Sequence, residues 1–305
     1  MNLMLSRAGL AISCLFLFAC GKSGGSGEPD PPPPPSDGEI VFCTDFEEGN
    51  LDMWDDWDGN PPPGNLVLAD PGPHNKEGNH VMRFRVAPGR GSADLVKVLP
   101  KKYDKLYARW YVYWEPGYDF DARNHGGGLF AGERSFLGQS DNRPDGSNFA
   151  TSWFEVNPRV HRPFLYTYYR GMYQDCANPN GGCWGDGFPC LADDGQTFCT
   201  NAGHRPTSAK TPPVLTTGKW YRVEIMMDMG NAVTNAAGAT GVLNMWIDGV
   251  EYGPWEKLWF RNTNDLQLSI LWMQLFHHED HSEEGMLIDD IIVSDAPIGT
   301  ATACE

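Results

Sequence analysis

Positive charge is scarce in this chain. Twenty-three Lys and Arg residues face 40 Asp and Glu across 305 residues, for a formal net charge of −17. Such a surface repels polyanions, which excludes nucleic acid and anionic membrane surfaces as general partners. A polyanionic substrate would need a local basic patch to override the total. Long amphipathic helices are also missing, because no segment repeats apolar residues at i, i+3, i+4 and i+7 over several turns. After residue 20 no apolar run reaches membrane-spanning length, so the remainder reads as soluble. Nor do the cysteines form the C-x₂-C pairs of a zinc site.

The apolar run that does exist, Leu10 to Phe18, is short, follows Arg7 and ends in Leu17-Phe18-Ala19-Cys20. Its length suits a cleaved signal. Its end resembles the bacterial lipobox, although Phe18 is bulkier than the usual residue there. The resemblance implies a signal peptide over 1–19, a lipidated Cys20 as mature N-terminus, and membrane association through that anchor only. Gly21 stands where an aspartate would retain a lipoprotein at the inner membrane, so the implied location is the outer membrane or cell surface. Residues 20–38 are rich in Gly and Ser and include five prolines from Pro31 to Pro35. They bury nothing and read as an extended stalk, at roughly 3 Å per residue through the prolines. Residues 39–305 then form one domain. Loss of Arg7 with the signal takes the net charge from −17 to −18.

Of eight cysteines, Cys14 leaves with the signal and Cys20 takes lipid. The six remaining are an even number in an oxidising compartment, where disulfides are expected. Cys43 and Cys304 lie at opposite ends of the domain, and a bridge between them would clamp the first strand to the last. Cys176, Cys183, Cys190 and Cys199 crowd into a stretch of Gly, Asn, Asp and Pro that cannot make a core. That stretch, 176–199, reads as an insertion made rigid by two local bridges, whose pairing the spacing leaves open.

Alternation with period two dominates the domain. Met82, Phe84 and Val86 alternate with Arg83 and Arg85. Leu106, Ala108, Trp110, Val112 and Trp114 share one face, and Tyr107, Arg109, Tyr111 and Tyr113 the other. Further strands read as Phe164 to Arg170, Trp220 to Asp228, Val242 to Ile247, Leu266 to Phe276 and Met286 to Ser294. Asp248-Gly249 signals a tight hairpin. Many strands with polar connections predict an all-β sandwich of two antiparallel sheets.

Several segments resemble known proteins. Cys43-Thr44-Asp45-Phe46-Glu47-Glu48-Gly49 and Ile288-Asp289-Asp290-Ile291-Ile292-Val293 look like the ends of concanavalin A-like jelly rolls. Leu106 to Trp110, Gly126 to Leu129, Gly218 to Glu224 and Trp246-Ile247-Asp248-Gly249 resemble the alginate and glucuronan lyases of that fold. The resemblance spans nearly the whole domain through short motifs, and it implies a two-sheet antiparallel jelly roll more firmly than an activity.

A uronate lyase neutralises the sugar carboxylate, removes the proton beside it and protonates the leaving oxygen. Arg or Lys suits the first task, Tyr or His the others. The family's motif has a Gly-Gly-Lys-Leu-Pro-Gly loop, a Ser-x-Arg strand and a Tyr-x-Tyr strand. Here the loop reads Gly126-Gly127-Gly128-Leu129-Phe130-Ala131, with Gly128 in the lysine's place. The Ser-x-Arg strand corresponds to Thr151-Ser152-Trp153-Phe154, without the arginine. Tyr166-Thr167-Tyr168 matches the tyrosine pair, with Arg170 one step further along the same face. Arg109 or Arg170 would replace the lost cations and His125 would serve as base, with Tyr166 and Tyr168 as the proton-handling pair. Against this stands the plain reading of both tyrosines as β-formers on a half-buried sheet.

Eleven tryptophans and eleven tyrosines offer flat faces to sugar rings. Trp110 and Trp114 fall to the core by alternation, leaving Tyr107, Tyr111, Tyr113 and Trp153 to line a glycan cleft. His277 opens the run His277-His278-Glu279-Asp280-His281, expected as a polar loop at the cleft rim. Asp45, Glu47, Asp289 and Asp290 would meet if first and last strands are neighbours, giving oxygen ligands for structural calcium. Two functions remain open: a surface-anchored polysaccharide lyase, and a non-catalytic glycan-binding or adhesion module.

Overall fold

The computed structural model describes residues 38–57, 65–86, 91–122, 124–139, 142–172, 183–189, 210–277, 284–299 and 304. Seventeen strands run through them. The first eight are β1 (Ile40–Thr44), β2 (Asp56–Trp57), β3 (Asn65–Ala69), β4 (His80–Val86), β5 (Ser92–Tyr103), β6 (Lys105–Trp114), β7 (Asn124–His125) and β8 (Gly128–Gly132). Then come β9 (Phe149–Val156), β10 (Pro163–Tyr168), β11 (Asp186–Phe188), β12 (Trp220–Asp228) and β13 (Gly241–Ile247). The last are β14 (Val250–Glu251), β15 (Trp255–Leu258), β16 (Leu268–His277) and β17 (Glu284–Ser294).

They form two antiparallel sheets. One has nine strands in the order β14-β13-β12-β6-β17-β4-β3, with β1 beside β17 and β15 beside β13. The other has eight, β11-β10-β9-β8-β16-β5-β2, with β7 beside β16. This is the jelly-roll sandwich that the alternation and the end motifs predict. Strand β6 shows why: Leu106, Ala108, Trp110, Val112 and Trp114 are all buried, and Trp110 and Trp114 meet Phe154 of the facing sheet at 6.0 and 6.4 Å between ring centroids. Trp114 also takes Phe120 edge-on at 5.2 Å. Each such ring contributes a few kcal/mol through burial and dispersion.

The ends close as expected. β1 pairs β17 through Cys43↔Ile292 and Thr44↔Ile291, and Cys43 is bonded to Cys304 across 261 residues of chain. Cys183 is also disulfide-bonded, while Cys20, Cys176, Cys190 and Cys199 lie outside the described residues, as do the signal and stalk. Asp248 and Gly249 turn between β13 and β14 with φ of 51° and 81°, the left-handed pair a two-residue hairpin demands. The polar alternate face of β6 departs from a simple sandwich surface, because Arg109 and Tyr107 are buried as well. The C-terminal segment lies across them, with Ile298 packing in the Tyr107 and Met226 cluster and the Gly299 carbonyl accepting from Arg109 Nη1 at 3.1 Å.

Candidate functional site

Pairing in the eight-stranded sheet gathers a set of polar and aromatic side chains on its outer face, the one turned away from the other sheet. Tyr166 stands opposite Trp153, Tyr168 opposite Thr151 and Phe164 opposite Glu155. Gly128 stands opposite Trp153 and Trp272, His125 opposite Phe276, and Gln274 opposite Asp94. Period two puts all of these on one face.

His125 is the centre of the set. Its ring stacks on Tyr166 at 5.6 Å with an 18° tilt and on Phe276 at 5.3 Å, and lies 5.2 Å from Trp153. Its Nδ1 contacts Glu155 Oε1. Burial drives the imidazole down to about 3, with Asp94 opposing, so the ring is neutral at ordinary pH. The same burial pushes the Glu155 carboxyl well above its usual range. Tyr166 is pushed up by burial first, then by Tyr168 and Glu155.

The tyrosine hydroxyls form a directed chain. Gly185 N–H donates to the Tyr166 oxygen at 2.9 Å, and Tyr168 donates to the Cys183 carbonyl at 2.7 Å. That leaves Tyr166 as the donor in the 3.2 Å bond between the two hydroxyls. The middle of the 176–199 stretch, Cys183 to Gly185, therefore caps the pair, and β11, within the same stretch, extends the sheet beside β10. Nearby, Trp272 Nε1 donates to Asp94 Oδ1 at 2.8 Å. Two buried donors, Trp153 Nε1 and Gln274 Nε2, have no hydrogen-bond partner among the described residues.

The triple glycine explains how closely β8 meets its neighbour. A Cβ on Gly128 would lie 2.7 Å from Trp153 Cδ1 and 2.8 Å from its Cα, closer than such atoms approach. The Ser152 carbonyl oxygen lies nearer still, so backbone and indole together close position 128.

Of the residues singled out in the sequence, His125, Trp153, Tyr166 and Tyr168 come together. Arg109 does not join them: β6 belongs to the nine-stranded sheet, and the guanidinium lies under Gly299 on that sheet's outer face. Burial lowers its pKa, with Glu224 opposing. Arg170 does not follow its alternation, because β10 ends at Tyr168 and the chain turns so that Gly171 N–H reaches the Trp259 carbonyl at 2.9 Å. The Arg170 guanidinium rests 4.7 Å over the Trp259 ring. Tyr107, Tyr111 and Tyr113 sit on β6 too and Trp153 on β9, so the glycan cleft expected from these four is split between the two sheets. His277 is the buried last residue of β16 rather than part of a rim loop. It turns inward, opposite in sense to Phe276, and its Nε2 is 3.4 Å from the Tyr118 hydroxyl. Residues His278 to His281 lie outside the described residues.

The four carboxylates named for calcium sit around the β1–β17 pairing. Asp289 takes Asn79 Nδ2 at 3.0 Å, Asp290 meets His74 Nε2 at 2.7 Å, and Glu47 is 3.5 Å from both Lys76 and His80. Burial lifts Asp289 to about 7, with Asp290 and Asp45 adding to the effect. Among the described residues no three His, Cys, Asp or Glu side chains are arranged to hold a metal ion.

Sequence reasoning missed Glu155, Gln274, Trp272 and Asp94. Glu155 has a signal, as the one charged residue of the wholly buried β9; Gln274, Trp272 and Asp94 have no local signal.

No protein-family model and no curated protein matches the chain. Solved structures do. An alginate lyase from a Chlorella virus superposes with a TM-score of 0.58 at 15% identity, covering 84% of this chain and 100% of that one. An endo-β-1,4-glucuronan lyase from the fungus Trichoderma reesei gives 0.54 at 13%, covering 86% and 100%. An alginate lyase variant in complex with alginate trisaccharide gives 0.51 at 15%, covering 84% and 93%. The fold is that of the jelly-roll polysaccharide lyases. At these identities the likeness is one of architecture, and chemistry has to be argued from the side chains.

Proposed function

We propose that the protein is a polysaccharide lyase that cleaves uronate-containing glycans by β-elimination on the outer face of the eight-stranded sheet. The observation that carries this reading is His125 stacked on Tyr166 with Nδ1 held by Glu155. With Nδ1–H donated to Glu155 Oε1, the carbonyl oxygen of the neutral carboxyl, the imidazole keeps its lone pair on Nε2, which takes the proton from the carbon beside the uronate carboxylate. Tyr166 returns a proton to the leaving glycosidic oxygen. Gln274 Nε2 and Trp153 Nε1, buried donors in want of acceptors, are suited to the sugar carboxylate in place of the missing lysine. Glu155 holds the ring, as an orienting carboxyl does in other histidine bases.

A second reading, glycan binding without catalysis, is favoured by two observations. The Ser152 carbonyl and Trp153 leave no room for a side chain at Gly128, and Cys183 and Gly185 engage both tyrosine hydroxyls. Alginate and glucuronan, incubated with the purified domain and read by the absorbance of the unsaturated product, separate the two. Product formation supports the lyase; binding without product from any uronate glycan replaces it with the module.

We also propose lipidation at Cys20 and display at the cell surface, supported by Leu17-Phe18-Ala19-Cys20 and the proline stalk. Cys20→Ala should release the protein from membranes, and continued attachment after signal removal would overturn the anchor. Structural calcium at Asp45, Glu47, Asp289 and Asp290 is proposed on the adjacency of β1 and β17.

A further inference from the structure

The outer face of the nine-stranded sheet holds a separate cleft of about 490 Å³, within the ~300–1,000 Å³ usual for small-molecule sites. Its floor is a directly paired set: Tyr113 on β6 faces Trp220 on β12 and Leu287 on β17. The two aromatic rings are 5.4 Å apart and inclined at 43°, and both are partly exposed. Its walls are Asp70 and Glu115.

We propose that this cleft binds a neutral pyranose unit of a glycan, independently of the eight-stranded sheet's face. Three features select that ligand. First, two half-exposed rings side by side present apolar faces on which the C–H face of a sugar can stack. Second, the cleft offers unsatisfied polar groups around that platform. Asp70 spends Oδ1 on Gly72 N–H at 2.8 Å, but Oδ2, the Tyr113 hydroxyl and Trp220 Nε1 make no hydrogen bond to any described residue. One strong acceptor with two donors is the pattern vicinal hydroxyls satisfy. Third, charge discriminates. Arg83 holds Glu115 in a two-pronged bond at 2.8 and 2.6 Å, which cancels one carboxylate and leaves Asp70 as the cleft's net charge. A uronate brought against Asp70 is repelled, whereas a hydroxyl donates to it. The cleft thus selects against the acidic sugars assigned to the opposite sheet.

The test is a titration of the wild-type domain with cellohexaose, mannohexaose and xylohexaose, and with alginate hexasaccharide as the charged comparator. Tryptophan indoles are labelled with ¹⁵N and followed by NMR. The proposal expects at least one neutral hexasaccharide to move the Trp220 indole resonance, and alginate hexasaccharide to leave it in place. Trp220→Ala and Tyr113→Ala should each weaken that binding at least tenfold while product formation from alginate or glucuronan stays as in wild type. Because the Trp220 resonance is read in unsubstituted protein, a variant that fails to fold leaves the test intact. An unmoved Trp220 resonance with every neutral sugar, binding that survives Trp220→Ala, or alginate hexasaccharide moving Trp220 would each overturn the assignment. Failure of the lyase reading would show instead as absent product, with the Trp220 response unaffected.

Discussion

The Ser152 carbonyl oxygen stands against Gly128, where a side chain's Cβ would also fall 2.7 Å from Trp153 Cδ1 and 2.8 Å from Trp153 Cα. Strands β8 and β9 pair residue for residue there, so a side chain at 128 needs the facing backbone to shift. Gly128→Lys should lower stability by about 1–3 kcal/mol through overpacking. Adding Trp153→Ala should recover little of that loss, because the Ser152 carbonyl remains in the way, and thermal melts of the four proteins read the coupling. Recovery of most of the loss would show that the indole, not the backbone, closes the position.

Glu155 gives a pH signature with a definite sign. Its folded pKa is raised by burial, so its contribution is fully present below the unfolded value near 4.5 and is lost as pH rises. Glu155→Gln keeps the shape and cannot ionise, so its melting temperature relative to wild type should climb as pH goes from 4.5 to 8. The ceiling on that gain is about 1.4 kcal/mol per pH unit. Parallel melting profiles across this range would contradict a buried, protonated Glu155.

The bridge from Cys43 to Cys304 closes 261 residues of chain and holds β1 against β17. Cys304→Ser should cost about 2–5 kcal/mol, read by denaturant unfolding under non-reducing conditions. Equal stability with and without the bridge would mean that the β1–β17 ladder holds by itself.

Much of the fold was legible because its strands are amphipathic. The Leu106 to Trp114 alternation identified the core face of β6, and the Asp248-Gly249 pair identified a hairpin. The end strands gave the disulfide. What alternation cannot give is which sheet a strand joins. Arg109 and Tyr166 both lie on alternate faces of good strands, yet those strands are in different sheets, and the pairing that decides this is set by distant residues. Arg170 fails for a local reason, a strand that ends two residues early. The His125–Glu155 contact joins residues 30 apart in sequence and has no local motif, so nothing short of the sheet order reveals it.

Calcium offers a test without activity. If Asp45, Glu47, Asp289 and Asp290 hold the ion, calcium should raise the melting temperature over a chelated sample, and the combined Asp45→Asn, Asp290→Asn variant should lose that response. An identical melt with calcium and with chelator would remove the metal from the account.

Product formation by wild type and His125→Ala on alginate and glucuronan tests the central claim most directly. The account predicts an unsaturated product from wild type on at least one of the two, and a rate reduced at least ~100-fold in His125→Ala, as expected when a general base is removed. Undiminished product from a folded His125→Ala protein, or no product from wild type on any uronate glycan, would contradict it.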